Sequence, residues 1–122
     1  MHDHKNTLLV VDDEEPMRLL LQESLIDHYH VLLASDALEG MVLFSNHSDK
    51  IKAVITDIRM PLIDGGKLVD HIRATDKEVP IICITALCDQ EIYEKLHNFY
   101  KLQIIKKPFS PQDLLNKIDQ LP

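Results

Sequence analysis

The stretch Ala53-Val54-Ile55-Thr56-Asp57-Ile58-Arg59-Met60-Pro61 decides how the chain folds. Apolar residues run directly into a single carboxylate, and Pro61 bars a regular continuation. Val54, Ile55 and Ile58 are β-branched, so the run reads as a strand covered on both faces. A strand of that kind belongs in the middle of a parallel sheet. Asp57 then stands at the carboxyl edge, where open α/β sheets place their ligands. Taken alone, Asp57 is better read as a cap for whatever follows, since aspartate is common at turns. The strands around it change that balance.

On the N-terminal side, Thr7-Leu8-Leu9-Val10-Val11 forms a first buried strand ending on Asp12-Asp13. Pro16 suits a first helical turn, and Met17, Leu20, Leu21, Ser24, Leu25 and Tyr29 fall on one helical stripe behind it. A second strand follows at His30-Val31-Leu32-Leu33-Ala34. Ser35 and Asp36 then offer caps to a helix bearing Leu38, Met41, Val42 and Phe44. On the C-terminal side, Asp64-Gly65-Gly66 marks a tight turn before a helix with Leu68, Val69 and Ile72. Val79-Pro80 introduces the strand Ile81-Ile82-Cys83-Ile84-Thr85, with proline tolerated at its beginning. Asp89 opens a fourth helix carrying Ile92, Leu96 and Phe99. The strand Gln103-Ile104-Ile105 runs into Lys106-Lys107-Pro108. Ser110, Pro111 and Asp113 form a capping-box-like start to a last helix that buries Leu114, Leu115, Ile118 and Leu121.

Five strands alternating with five helices, without repeat or linker, predict an α/β fold: a doubly wound five-stranded parallel sheet with helices on both faces. At 122 residues the expectation is a single domain over 1–122 with the flavodoxin-like (βα)5 order 2-1-3-4-5. The 45% hydrophobic content suits a globular protein, and no apolar run reaches the roughly 20 residues that span a bilayer. The polar start Met1-His2-Asp3-His4-Lys5-Asn6 lacks the apolar segment of a secretory signal, so a cytoplasmic location is expected. A net charge of −7 argues against direct nucleic-acid binding and suits a cation site or a basic partner. Cys83 reads as core filler and Cys88 as a loop thiol, while His2 and His4 belong to a frayed terminus.

The predicted order brings four strand ends together: Asp12 and Asp13, Asp57, Thr85, and Lys107. Three carboxylates in one crevice repel one another, which raises pKa values and invites a hard divalent cation. Mg²⁺ favours one or two carboxylates with water and phosphate oxygens over a full protein cage. Lys107 adds a compact cation and Thr85 a hydroxyl able to bond a phosphoryl oxygen. A carboxylate nucleophile, a metal, a lysine and a hydroxyl are the parts of a phosphoryl transfer. Each residue has a plain structural reading as cap, turn residue or surface charge. All five at corresponding strand ends by accident is far less probable.

As a set, Val10-Val11-Asp12-Asp13-Glu14, Asp57-Ile58-Arg59-Met60-Pro61 with Asp64-Gly65, Thr85-Ala86 and Lys107-Pro108-Phe109 resemble the receiver domain of two-component response regulators, from Leu8 to Leu121. The resemblance implies that Asp57 is the phosphoacceptor. It implies that Asp13, Asp57 and the backbone carbonyl of Arg59 hold Mg²⁺, with Asp12 acting largely through water. Thr85 and Lys107 would contact the attached phosphoryl group, Ala86 would leave room for it, and Lys107-Pro108 would be a cis peptide. Such a domain is a switch and not a conventional enzyme, catalysing only its own phosphorylation and dephosphorylation. Its implied partners are a sensor histidine kinase or phosphotransfer protein and an effector met through the fourth helix, fifth strand and fifth helix.

The sequence departs from the family pattern in two places. Ile104 stands three residues before the lysine, where an aromatic is usual, and Tyr100-Lys101 replaces the common Gly-Ala. Two rival functions are weighed. An aspartate-nucleophile phosphohydrolase wants Asp-x-Asp after the strand, and here the second position is Arg59. A phosphorylation-independent pseudo-receiver would have lost the acceptor or the acidic pair, and neither is lost.

Overall fold

The computed structural model describes residues 6–57, 64–86, 94, 97–98 and 101–121, without the side chains of 64–66. Outside these residues lie Ile58, Arg59, Met60 and Pro61, Cys88, His2 and His4, and most of the predicted fourth helix with Asp89, Ile92, Tyr93, Leu96, Phe99 and Tyr100. The strands are β1 (Thr7–Val11), β2 (His30–Ala34), β3 (Ile51–Asp57), β4 (Ile81–Thr85) and β5 (Gln103–Lys106). Among the described residues, the helices with both ends described are α1 (Glu15–Leu25), α2 (Ala37–His47), α3 (Asp64–Thr75) and a C-terminal helix (Pro111–Asp119).

The sheet has five strands in the order β2-β1-β3-β4-β5, all parallel, as the strand-helix alternation requires. Side chains alternate across it, and two cores result. Leu9, Val11, Val54, Ile81 and Cys83 point to the face packed by Phe44 of α2 and by Leu68, Val69 and Ile72 of α3. Leu8, Val10, Ala53, Ile55, Ile82 and Ile84 point to the other, packed by Leu21 and Leu25 of α1 and Leu114, Leu115 and Ile118 of the C-terminal helix. Because β1, β3 and β4 are covered twice, they carry the continuous apolar runs that the sequence displays.

The α2 helix lies close against β1. A Cβ on Gly40 would fall 2.9 Å from Val11 Cγ2 and 3.3 Å from Leu68 Cδ1, so the missing side chain sets how near helix and strand approach. The capping box of the C-terminal helix is present: Ser110 Oγ accepts from the Asp113 N–H and Asp113 returns the bond to the Ser110 N–H.

Three expectations change. Asp64-Gly65-Gly66, read as a turn, are the first residues of α3, where packing of Leu68, Val69 and Ile72 outweighs the poor helix propensity of glycine. Leu20, placed on the buried stripe of α1, is 46% exposed, and Leu38 and Val42 of α2 are 70% and 52% exposed. Each helix touches the sheet along a narrow line, so Leu21 and Leu25 fill the groove and the adjacent Leu20 points past it.

Candidate phosphoryl-transfer site

The parallel register determines which residues leave the sheet side by side. Val11 is paired with Ala34 on one side and Thr56 on the other, so Asp12 and Asp57 step off neighbouring strands together. Asp57 is paired with Ile84, and Thr85 with Lys106, which puts Lys107 next in line at the same edge. Its backbone N–H donates to the Thr85 carbonyl at 2.9 Å, extending the β4–β5 pairing one step past the strand.

Lys107 Nζ lies 2.8 Å from Asp57 Oδ2, and the side chains are 24% and 2% exposed, respectively. A covered carboxylate held by a half-covered ammonium is a charge pair with little water around it. Thr85 is buried next to them, and Ala86 is exposed at the strand's exit. The peptide bond between Lys107 and Pro108 is cis, as the resemblance implied.

Asp12 is the most constrained member. Its backbone N–H donates to the Ala34 carbonyl at 3.0 Å, and its own carbonyl accepts from Arg18 Nη1 at 2.7 Å. Oδ1 accepts from the Glu14 N–H at 2.8 Å. Oδ2 is buried and, among the described residues, has no hydrogen-bond partner. The carboxyl pKa is pushed up from 3.8 to about 6, chiefly by burial. The Glu14 N–H and Lys107 oppose the rise, and the charges of Asp57 and Asp13 add to it.

One oxygen each from Asp12, Glu14 and Asp57 lies within 4.8 Å of the others. A buried carboxylate oxygen without a donor, beside two more carboxylates, suits a small hard cation such as Mg²⁺. Thus Asp12, Asp57, Thr85 and Lys107 gather at one edge as the strand ends predict. Asp13 is exposed and is not one of the three clustered acids, and Arg59 lies outside the described residues. Sequence reasoning assigned no role to Glu14, although it quoted the residue within the acidic motif, and it passed over Arg18. The signal for Arg18 was its place six residues beyond Asp12, just inside a helix that folds back over the strand end.

The chain is similar to known proteins in sequence and in fold. The family described as response regulator receiver domain matches residues 8–119. A probable transcriptional regulator, ycf27, of Guillardia theta is 38% identical over 115 residues, covering 93% of this chain and 44% of the relative. The hybrid signal transduction histidine kinase D of Dictyostelium discoideum is 29% identical over 125 residues, covering 97% of this chain and 8% of the relative. The chain therefore spans less than half the length of these curated relatives. Among solved structures, the Vibrio cholerae chemotaxis protein CheY4 superposes with a TM-score of 0.84 at 25% identity, covering 96% of this chain and 98% of that one. CheY in the CheX-CheY-BeF3-Mg²⁺ complex of Borrelia burgdorferi superposes with a TM-score of 0.82 at 26% identity, covering 93% and 86%. An acidic cluster at the β1 and β3 ends, opposite a lysine one residue past β5, and a match spanning nearly the whole chain lead to one family: the protein belongs to the response regulator receiver domains of two-component signal transduction.

Proposed function

We propose that residues 1–122 form one receiver unit that accepts a phosphoryl group from a histidine kinase or phosphotransfer protein onto Asp57, with Mg²⁺, and thereby switches its affinity for a downstream partner. The observation that carries this reading is the Asp57–Lys107 pair at 2.8 Å beside a buried Asp12 oxygen that lacks a donor. An Asp57 carboxylate oxygen attacks the phosphorus of a phosphohistidine, the N–P bond breaks, and an acyl phosphate remains. Water later cleaves that acyl phosphate and returns the carboxylate, so the cycle closes without net change in the protein.

The side chains have separate tasks. Lys107 holds the Asp57 carboxylate before transfer and the more highly charged phosphoryl group afterwards. The Thr85 hydroxyl gains a charge-assisted acceptor on the phosphoryl group, and small Ala86 leaves space beside it. Asp12, Glu14 and Asp57, with Asp13 at the rim and the Arg59 carbonyl, are the groups to hold the cation. When bound, Mg²⁺ offsets carboxylate repulsion and neutralises charge on the transferring phosphoryl oxygens.

The Borrelia burgdorferi complex, a CheX-CheY assembly with BeF3 and Mg²⁺, supports this reading through the fold it shares. The ycf27 and histidine kinase relatives support a place within larger signalling proteins; the same reading puts this domain in the cytoplasm, with a sensor histidine kinase or phosphotransfer protein as donor and an effector as recipient. Among the described residues no helix is long and apolar enough to cross a membrane.

The test is intact-mass analysis after incubation with a small-molecule phosphodonor and Mg²⁺. One added phosphoryl group is expected in the wild type and none in Asp57→Asn. An unlabelled wild type, or a labelled Asp57→Asn, overturns the assignment. Continuous release of phosphate from diverse phosphomonoesters would favour a phosphohydrolase instead.

A further inference from the structure

The backbone carbonyl of Asp12 lies one residue beyond β1, outside the ladder hydrogen bonds of the strand. A polar backbone group at such a half-covered place needs a partner. Nearby backbone donors are limited: the Glu14 N–H is taken by Asp12 Oδ1, and Pro16 has no N–H. The guanidinium of Arg18 donates instead, at 2.7 Å. Arg18 is the fourth residue of α1, and its own N–H is bonded to the Glu14 carbonyl at 3.0 Å. The guanidinium therefore hangs from a rigid helix and closes a loop over the acidic turn.

We infer that Arg18 is a positioning residue, holding the Asp12-Asp13-Glu14 turn in its cation-binding form through the Asp12 carbonyl. The inference rests on the cation reading of the site proposed above. With the Asp12 N–H fixed to Ala34 and its carbonyl fixed to Arg18, the peptide units on both sides of Asp12 are pinned. Oδ1 is pinned in turn by the Glu14 N–H, and Oδ2 is the atom left for a ligand. Asp57, Lys107 and Asp13 are among the charges that bear on the Asp12 carboxylate, and the Glu14 carboxylate lies close to it. Arg18 acts on the carbonyl and so orients a ligand without itself touching it.

A sign distinguishes positioning from electrostatics. Removing a positive charge beside a cation site strengthens cation binding if charge alone matters. Removing a support weakens it, by roughly ten-fold or more for groups that orient metal ligands. The experiment is calorimetric titration of the whole chain with MgCl₂, alongside melting without metal. Arg18→Met keeps the aliphatic stem and helix propensity but loses the donor. It is expected to bind Mg²⁺ at least about ten-fold more weakly while still folding, and Arg18→Lys, which can still donate to a carbonyl, to recover most of the loss. Unchanged or tighter binding by folded Arg18→Met overturns the inference, as does a lowered melting temperature with unaltered affinity. Should Arg18→Met not fold, Arg18→Leu, which favours the helix and carries no donor, takes its place: weakened binding supports positioning and unchanged binding overturns it. A wild type that binds no Mg²⁺ overturns the cation reading itself and this inference with it. Binding by the wild type that Arg18→Met retains in full overturns the inference alone.

Discussion

At the starts of α2 and of the C-terminal helix the cap side chain closes onto the helix's own backbone, whereas at the start of α1 the cap side chain makes no such bond. Asp36 Oδ1 accepts from the Glu39 N–H at 2.7 Å, and Glu39 Oε1 accepts from the Ser35 N–H at 2.6 Å. Ser110 and Asp113 exchange the same kind of bonds at 3.0 and 3.3 Å. At α1 the cap residue is Glu14, whose side chain makes no cap bond, and its carboxylate joins those of Asp12 and Asp57. All three helices begin at the carboxyl edge of the sheet, and acids are favoured near the start of any helix. An acid at that edge therefore says little about function. A buried acid whose oxygen has no donor says much more, because such an atom costs stability until something binds it.

Replacing the acid that carries this cost tests the comparison most severely. The rise of the Asp12 pKa from 3.8 to about 6 corresponds to about 3 kcal/mol against the metal-free fold when the group is ionised. Asp12→Asn keeps an acceptor for the Glu14 N–H and turns a donor toward the neighbouring carboxylates. In urea unfolding with chelator at pH 7.5, it is expected to gain about 1–3 kcal/mol over wild type. Protonated Asp12 favours the fold, a contribution complete below pH 3.8 and lost as pH rises through about 6. The advantage of Asp12→Asn should accordingly shrink toward pH 4, and Mg²⁺ should narrow it at pH 7.5 by stabilising only the wild type. A destabilised Asp12→Asn would show that Asp12 supports the fold as Asp36 and Ser110 do.

The satisfied caps predict the opposite sign. Ser110→Ala removes the acceptor for the Asp113 N–H and should cost about 1 kcal/mol, read as a lower urea midpoint with an unchanged slope. Neither Mg²⁺ nor phosphodonor labelling should respond to it. The smallest effect is expected for Glu39→Gln, which keeps an acceptor for the Ser35 N–H but loses a charge in the first turn of α2. A loss of about 0.3–0.5 kcal/mol, fading with added salt, would fit. A loss several times larger would make Glu39 more than a cap.

Strand ends were readable because buried parallel strands are unbroken apolar runs, and the residue after each run must lie at the edge. That is how Asp57, Asp12, Thr85 and Lys107 could be grouped before any geometry was known. The register that brings Asp12 and Asp57 abreast follows from the topology once β1 and β3 are neighbours. Details set by turns were not readable. Whether Asp13 or Glu14 joins the cluster depends on how the backbone bends between β1 and α1, and apolar periodicity carries no information about that. The Arg18 contact depends on the same bend. Leu20, Leu38 and Val42 misled for another reason: a hydrophobic stripe marks the direction of the core but not its width.

The 50 residues separating Asp57 from Lys107 also bear on how the protein is made. As a nascent chain leaves the ribosome, β1, β2 and β3 can pair as soon as they emerge, and the acids of β1 and β3 meet early. The balancing lysine follows β5, an edge strand that docks only on a finished β4. A half-made domain thus holds the Asp57 carboxylate without its ammonium partner. The Asp57–Lys107 pair can therefore close only once β5 is in place, and until then the acids of this edge stand without the cation that balances them.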